Sequence, residues 1–228
     1  MFSPSELNLF FQCPQRWKWM KDGVPGLPVD TRLLDIGSEV HYIIRLYFER
    51  LSGVPTEDEI EQKVLDITDE VVGDKKSVMN LMNKFIHFEK ERLKTWKTYL
   101  PTFVEKKFVY NDYLTGIVDF YGENKIIDWK TGTYTYITPD MVRQGNIYRF
   151  LLENAGYQVD DILFVYIKED KVVSIPKVPD GSIQNDINKM RNMIKSGYLP
   201  KREGYYCAYC EYQLRCELEK EGITLWKL

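Results

Sequence analysis

The sequence predicts an α/β protein in which a mixed central sheet is flanked by helices. Two observations carry this. Apolar positions recur at helical spacing across residues 36–98, then switch to a period of two between 102 and 129. Beyond that, helix and strand signals alternate, the pattern of a layered α/β fold and not of a bundle. With 228 residues, 44% hydrophobic and 14% aromatic, one large domain spanning 1–228 is expected.

The first element opens on Ser3-Pro4-Ser5-Glu6. Ser3 can cap the free N–H groups, Pro4 suits the first helical position and Glu6 closes a capping box. The pattern through Phe10, Phe11, Trp17 and Trp19 stays helical, with a kink expected at Pro14, and a Gly/Pro-rich connector follows at 23–28. Val40, Ile43, Ile44, Tyr47, Phe48 and Leu51 mark a helix over 36–51, and further helices are expected over 57–72 and 76–98. Residues 102–110, 114–121 and 125–129 read as strands, the last two joined by a turn at Gly122-Glu123-Asn124. A helix over 138–154, capped by Thr138-Pro139 and ended at Gly156, precedes short strands at 161–168 and 172–175. An amphipathic helix over 182–195 leads into a tail that holds three of the four cysteines.

Composition excludes some classes. Charged residues make up 29% without biased stretches, which argues against long disordered regions. No apolar run reaches the ~20 residues of a membrane span, and the first eleven residues lack a basic leader, so a soluble cytoplasmic protein is expected. The net charge of −3 decides little about nucleic acid, because phosphate contacts need only a local basic surface.

The strand pair carries candidate chemistry. Asp128 and Lys130 alternate with Ile127 and Trp129, so they share a face. If Glu123 and Asn124 form a two-residue turn, Asp119 stands opposite Asp128 with Cβ atoms about 5 Å apart. Two half-buried carboxylates that close repel unless a cation sits between them, and a hard divalent ion suits such an oxygen cradle. Lys130 adds a positive charge able to orient a water or steady a pentavalent phosphate. A single D-x-K recurs by chance, and taken alone it is better read as ordinary hairpin charges. His41 lies on the 36–51 helix, where a packed boundary role competes with a ligand role. Gln144 and Tyr148 share a helix face four residues apart. Glu105, on the preceding strand, is assigned a surface or strand-pairing role and left out of the site.

Cys207, Cys210 and Cys216 form C-x2-C-x5-C, and Cys13 lies far away in Phe11-Gln12-Cys13-Pro14. Four thiolates can close one metal centre, and brought together they would staple the two chain ends. Disulfides, free thiols and zinc remain alternatives on spacing alone.

The order of these motifs resembles the RecB-like branch of the PD-(D/E)xK nucleases, and within it the CRISPR-associated iron–sulfur exonuclease family. The matching residues are Gly37-Ser38-Glu39-Val40-His41, then Gly116 with Asp119, then Asp128-Trp129-Lys130, then Gln144 with Tyr148, together with the four cysteines. Val118 stands where the superfamily's named motif has proline. The resemblance implies a restriction-endonuclease-like core with metal ligands His41, Asp119, Asp128 and the Trp129 carbonyl. It implies Asp119, Asp128, Lys130, Gln144 and Tyr148 as catalytic residues, with Lys130 helping to activate the attacking water. It also implies Mg²⁺ or Mn²⁺ as cofactor, and one [4Fe-4S] cluster on Cys13, Cys207, Cys210 and Cys216 in a module formed by 1–22 and 198–228. The implied activity is hydrolysis of single-stranded DNA or overhangs, in CRISPR spacer acquisition beside integrase proteins, or in recombination and repair. A cluster-bearing DNA-binding adaptor without turnover and a zinc-bound RNA-processing nuclease are the rivals. Basic and aromatic residues mixed near both cysteine segments (Arg16, Trp17, Lys18, Trp19, Lys21; Lys201, Arg202, Tyr205, Tyr206, Tyr209) suggest a single-strand path. A buried-core reading of the tryptophans stands against it.

Overall fold

The computed structural model describes residues 1–28, 30–70 and 75–221. Its residues fall into two compact units, one of Met1 with Thr31–Ile183 and one of Phe2–Asp30 with Gln184–Leu228.

The first unit holds the sheet. Helices α3 (Arg32–Glu49), α4 (Glu57–Asp69) and α5 (Lys75–Thr95) precede strands β1 (Phe103–Tyr110), β2 (Leu114–Gly122) and β3 (Lys125–Lys130). Helix α6 (Pro139–Asn154) then leads to β4 (Asp161–Tyr166) and β5 (Lys171–Ser174). The strand order is β1-β2-β3-β4-β5, antiparallel throughout except for the parallel β3–β4 pair that α6 connects. This is the mixed, helix-flanked sheet expected from the sequence. Of the helix expected over 57–72, residues 71 and 72 lie outside the described residues. The strand expected over 161–168 ends at Tyr166, where a 3-10 turn, Ile167–Glu169, begins.

Apolar stripes explain the packing. Val40, Ile43, Ile44, Tyr47 and Phe48 of α3 join Ile60, Val64 and Ile67 of α4 and Met82 and Phe85 of α5 in one core. That core covers the sheet face carrying Phe120, Ile127, Trp129 and Val165. Alternation along β3 and β4 therefore sends Asp128 and Lys130 to the other face, where α6 lies. Two glycines let α6 sit close. A Cβ on Gly145 would meet Ile162 Cγ2 at 2.8 Å, and one on Gly116 would meet Leu151 Cδ1 at 2.9 Å and the Tyr148 ring at 3.2 Å.

The second unit contains α1 (Pro4–Gln12), α2 (Pro14–Lys21), the greater part of α7 (Asp180–Ser196) and α8 (Gln213–Lys220). Ser3 and Glu6 form the capping box read from the sequence. At Pro14 the expected kink is a full break: Cys13 adopts extended backbone, its sulfur accepts from Arg16 N at 3.4 Å, and Pro14 starts a new helix. Phe10 packs edge-on against Trp17, and Trp17 and Trp19 are both buried. No helix among the described residues is long and apolar enough to cross a membrane. Residues 222–228, part of the 198–228 segment named above, lie outside the described residues.

Candidate metal and nuclease site

The β2–β3 turn positions the site. Glu123 and Asn124 both adopt positive φ, 50° and 58°, as a two-residue turn of the mirror-image type requires. Phe120 pairs with Ile127 and Tyr121 with Ile126, so continuing the register puts Asp119 opposite Asp128. Asp119 Oδ2 accepts the Trp129 backbone N–H at 2.9 Å.

His41 reaches the same place from α3. Its Nε2 donates to the Trp129 carbonyl at 3.0 Å, and its Nδ1 lies 3.4 Å from both Glu105 Oε1 and Asp119 Oδ2. One ligand atom each from His41, Glu105 and Asp119 falls within a 4.8 Å span, the group among the described residues suited to hold a metal ion. Glu105, set aside on the sequence, thus belongs to the site. Its backbone shows how it gets there. Phe103 and Phe108 both pack against Tyr157, although strict alternation would send residues five apart to opposite faces. Between them Glu105 has φ 46°, a left-handed conformation in mid-strand that breaks the alternation. The signal available in the sequence was the loop after Tyr110. With Asn111-Asp112-Tyr113 as a three-residue turn, Tyr110 faces Leu114, and the same register carries Glu105 opposite Asp119.

Asp128 sits beside this group and is engaged otherwise. Its Oδ2 lies 2.6 Å from Lys130 Nζ, and its Oδ1 accepts from Gln144 Nε2 at 3.1 Å. The Gln144 amide also accepts from Lys130 Nζ at 3.1 Å and donates to the Tyr148 hydroxyl at 3.0 Å. One side chain of α6 thereby ties together Asp128, Lys130 and Tyr148.

The electrostatics are those of an acidic cluster short of positive charge. Burial, then the Asp128 carboxylate, push Asp119 up to about 8. For His41, burial alone would lower the pKa; the hydrogen bond to Glu105 and the fields of Asp119 and Asp128 override it and raise the group to about 9. An imidazolium therefore supplies, in the metal-free chain, charge that a divalent cation would supply in its place. Burial also opposes charging of Lys130, but Asp128 outweighs it and keeps the amine firmly protonated. Burial and then Asp128 raise Tyr148, whose hydroxyl stays neutral and accepts from Gln144. Two carboxylates, an imidazole and a nearby main-chain carbonyl suit Mn²⁺ or Mg²⁺ chemically, the imidazole leaning toward Mn²⁺.

The cysteines occupy the second unit as free thiols. Cys207, Cys210 and Cys216 line one cavity of about 330 Å³. Burial raises the Cys210 and Cys216 thiols, and the field of Cys13 adds to both shifts. No three sulfurs among the described residues lie within 4.8 Å of one another.

The mixed basic and aromatic patch has little free charge. Arg16 pairs with Glu211 at 2.7 Å, Lys18 with Asp22 at 2.6 Å, Lys21 with Glu6, and Lys201 with Glu219 at 2.6 Å. Arg202 donates to the Phe11 carbonyl at 2.7 Å, and Tyr206 to that of Gln12. These cations cross-link the unit, and the two tryptophans are core; Tyr205 and Tyr209 alone of the named aromatics stand well exposed.

A family model described as the PD-(D/E)XK nuclease superfamily matches residues 1–217. No curated protein matches. Among solved structures, one described as "Crystal structure of SSO0001" is 12% identical, with a TM-score of 0.45, covering 94% of this chain and 84% of that one.

Proposed function

The chain belongs to the PD-(D/E)XK nuclease superfamily, and on that premise we propose that it is a metal-dependent deoxyribonuclease working at His41, Glu105, Asp119, Asp128 and Lys130. The observation that carries this is the convergence of a histidine and two carboxylates from three separate elements within 4.8 Å, beside an Asp128–Lys130 pair. His41, Asp119, Asp128 and the Trp129 carbonyl, joined by Glu105, would hold Mg²⁺ or Mn²⁺. Such an ion supplies Lewis acidity toward a phosphoryl oxygen and a water nucleophilic near neutral pH.

The remaining work belongs to the side chains. Lys130, held cationic by Asp128, directs its ammonium at charge growing on the phosphate in the transition state. Gln144 holds the Lys130 amine through its amide oxygen and the Asp128 carboxylate through its amide nitrogen, so neither reorients as the substrate arrives. Tyr148 steadies Gln144 from behind. Purified protein with Mn²⁺ and end-labelled single-stranded DNA tests the proposal: cleavage should require the ion and vanish in Asp119→Ala and Lys130→Ala. Cleavage that survives both substitutions would place the chemistry elsewhere or in a contaminant.

Two finer readings go with this one. The first is that the cysteines hold an iron–sulfur cluster. It is supported by their confinement to one unit and by the shared cavity of Cys207, Cys210 and Cys216. Metal entry must displace the thiol protons, so its binding energy is folding energy. Anaerobically purified protein should be brown with about four irons per chain; a colourless protein with stoichiometric zinc would sink this reading. The second is exonucleolytic trimming of single strands or overhangs for CRISPR spacer acquisition, with integrase proteins as partners. The ordered motifs His41, Gly116, Asp119, Asp128, Lys130, Gln144 and Tyr148 support it. Product ladders from strands labelled at either end, and pull-down of an integrase encoded beside the gene, test its two halves.

A further inference from the structure

A cavity of about 510 Å³ opens directly onto the candidate metal group, sharing His41 and Glu105 with it. Its size lies within the usual range of small-ligand sites. Its lining joins His41, Glu105 and Thr131 to Leu33, Leu34, Tyr42 and Arg45. The three apolar side chains are left in solvent, Leu33 80%, Leu34 68% and Tyr42 49% exposed. They occupy the first three turns of a helix whose inner face already fills the core with Val40, Ile43 and Ile44. Fold stability therefore does not account for them.

Tyr42 is also prepared as a platform. The Arg45 guanidinium carbon lies 5.2 Å from its ring centroid, which covers one face with a cation. Arg45 Nε is 3.8 Å from Glu49 Oε1, beyond hydrogen-bonding reach, so the guanidinium is only loosely engaged there. Tyr42 follows His41 in sequence, and consecutive helical residues point about 100° apart. Both side chains line the cleft.

We propose that this cleft receives the unpaired base of the nucleotide at the cleavage point, stacked on Tyr42 and flanked by Leu33 and Leu34, which selects single-stranded DNA. The inference rests on the nuclease reading above and names the substrate form that its site takes. A nucleotide joins the same two kinds of group that line the cleft: a charged phosphate and a flat, weakly polar base. Stacking on an aromatic ring tolerates any base, because every base has a π face. A base held in a duplex is already stacked on its neighbours and cannot enter without being unpaired.

The experiment uses the full chain carrying Lys130→Met, so that strands bind with Mn²⁺ present and are consumed only slowly. The probe is a short oligodeoxythymidine with 2-aminopurine at one terminus, whose fluorescence falls when the base stacks. Binding should quench the probe, and Tyr42→Ala should remove the quench and weaken binding roughly 5- to 150-fold, the range set by one base–aromatic stack. Tyr42→Trp should restore both. A closed duplex without free ends should bind no differently to Tyr42→Ala and to its parent. Unchanged affinity and quench in Tyr42→Ala would overturn the proposal. So would a Tyr42-dependent RNA strand that outcompetes DNA of the same sequence. The two readings fail separately. A chain with Lys130 intact that never cleaves, yet shows Tyr42-dependent quenching once Lys130→Met is made, loses the nuclease reading and keeps the cleft. A chain that cleaves normally with Tyr42→Ala loses the cleft alone.

Discussion

Replacing Gly116 by alanine is a one-carbon change whose sign separates two expectations. Judged by backbone preference, glycine inside a strand is unfavourable by about 0.5–1 kcal/mol relative to alanine, so the variant should be more stable. The packing says otherwise. The new Cβ would lie 2.9 Å from Leu151 Cδ1 and 3.2 Å from Cδ1 and Cε1 of Tyr148. Leu151 can swing a methyl away. The Tyr148 ring cannot do so freely, because its hydroxyl accepts from Gln144 Nε2 at 3.0 Å. Overpacking of this kind costs about 1–3 kcal/mol, which at least offsets the backbone gain and leaves a net loss of up to about 2.5 kcal/mol. The displacement should also reach the chemistry, since Gln144 is the shared partner of Lys130 and Asp128. Misplacing reactive groups by about 1 Å can cost 10²-fold in rate, and a shift of a few tenths of that should cost several-fold. Urea denaturation followed by fluorescence and circular dichroism gives the stability change, and Mn²⁺-dependent cleavage gives the rate. An alanine variant that is as stable as the parent and cleaves equally well would show that α6 does not position the site through this contact.

Other expectations follow from the same coordinates. Asp119 is raised from 3.8 to about 8 and His41 from 6.5 to about 9, so the folded, metal-free chain binds more protons than the unfolded one across that span. Its stability should fall as pH rises from about 4 to 9, while the Tm gain from Mn²⁺ grows because the cation displaces those protons; thermal melts with and without Mn²⁺ in Asp119→Asn should show a flattened profile, and an unchanged one would refute the linkage. Lys130→Met should lower cleavage roughly 10²- to 10³-fold while keeping the Mn²⁺-induced Tm shift, the mark of a group that serves the phosphate and not the ion. Glu105→Gly should remove left-handed strain of about 1–2 kcal/mol at the cost of glycine's extra chain entropy, leaving stability near or slightly above the parent; calorimetric titration should show Mn²⁺ affinity falling at the same time, and loss of stability with retained affinity would contradict it. Glu89→Gln strips the buried Arg92 guanidinium of a bidentate partner at 2.7–3.2 Å. A loss of about 3–5 kcal/mol in urea is expected, and one under about 1 kcal/mol would mean that Arg92 is adequately satisfied by the Tyr99 carbonyl.

Much of this protein is legible in its sequence because the relevant physics is local. Ser3 and Glu6 cap α1 through bonds three residues apart, and Thr138 caps α6 in the same way. Asn124 tolerates positive φ, and the two-residue turn it forms with Glu123 brings Asp119 opposite Asp128. Gln144 and Tyr148 share a helix face by arithmetic. Where an outcome depended on a competition between distant groups, the sequence was silent or misleading. The turn after Tyr110 carries Glu105 opposite Asp119, but the left-handed backbone at Glu105 is announced by nothing in its neighbours. Arg16, Lys21 and Lys201 looked like a nucleic-acid path until folding brought each one a carboxylate.

The sequence by itself determined the order and type of the elements, the strand register through the β2–β3 turn, and the residue types available to a metal-dependent reaction. Only the tertiary structure decided which carboxylates face His41, which charges are already spent on internal pairs, and how close α6 comes to the sheet. The division has one physical reason. Hydrogen bonds within a turn or a cap join residues a few positions apart and are set by local conformational preference, whereas burial and Coulomb interactions depend on separations that exist only after the chain has closed on itself.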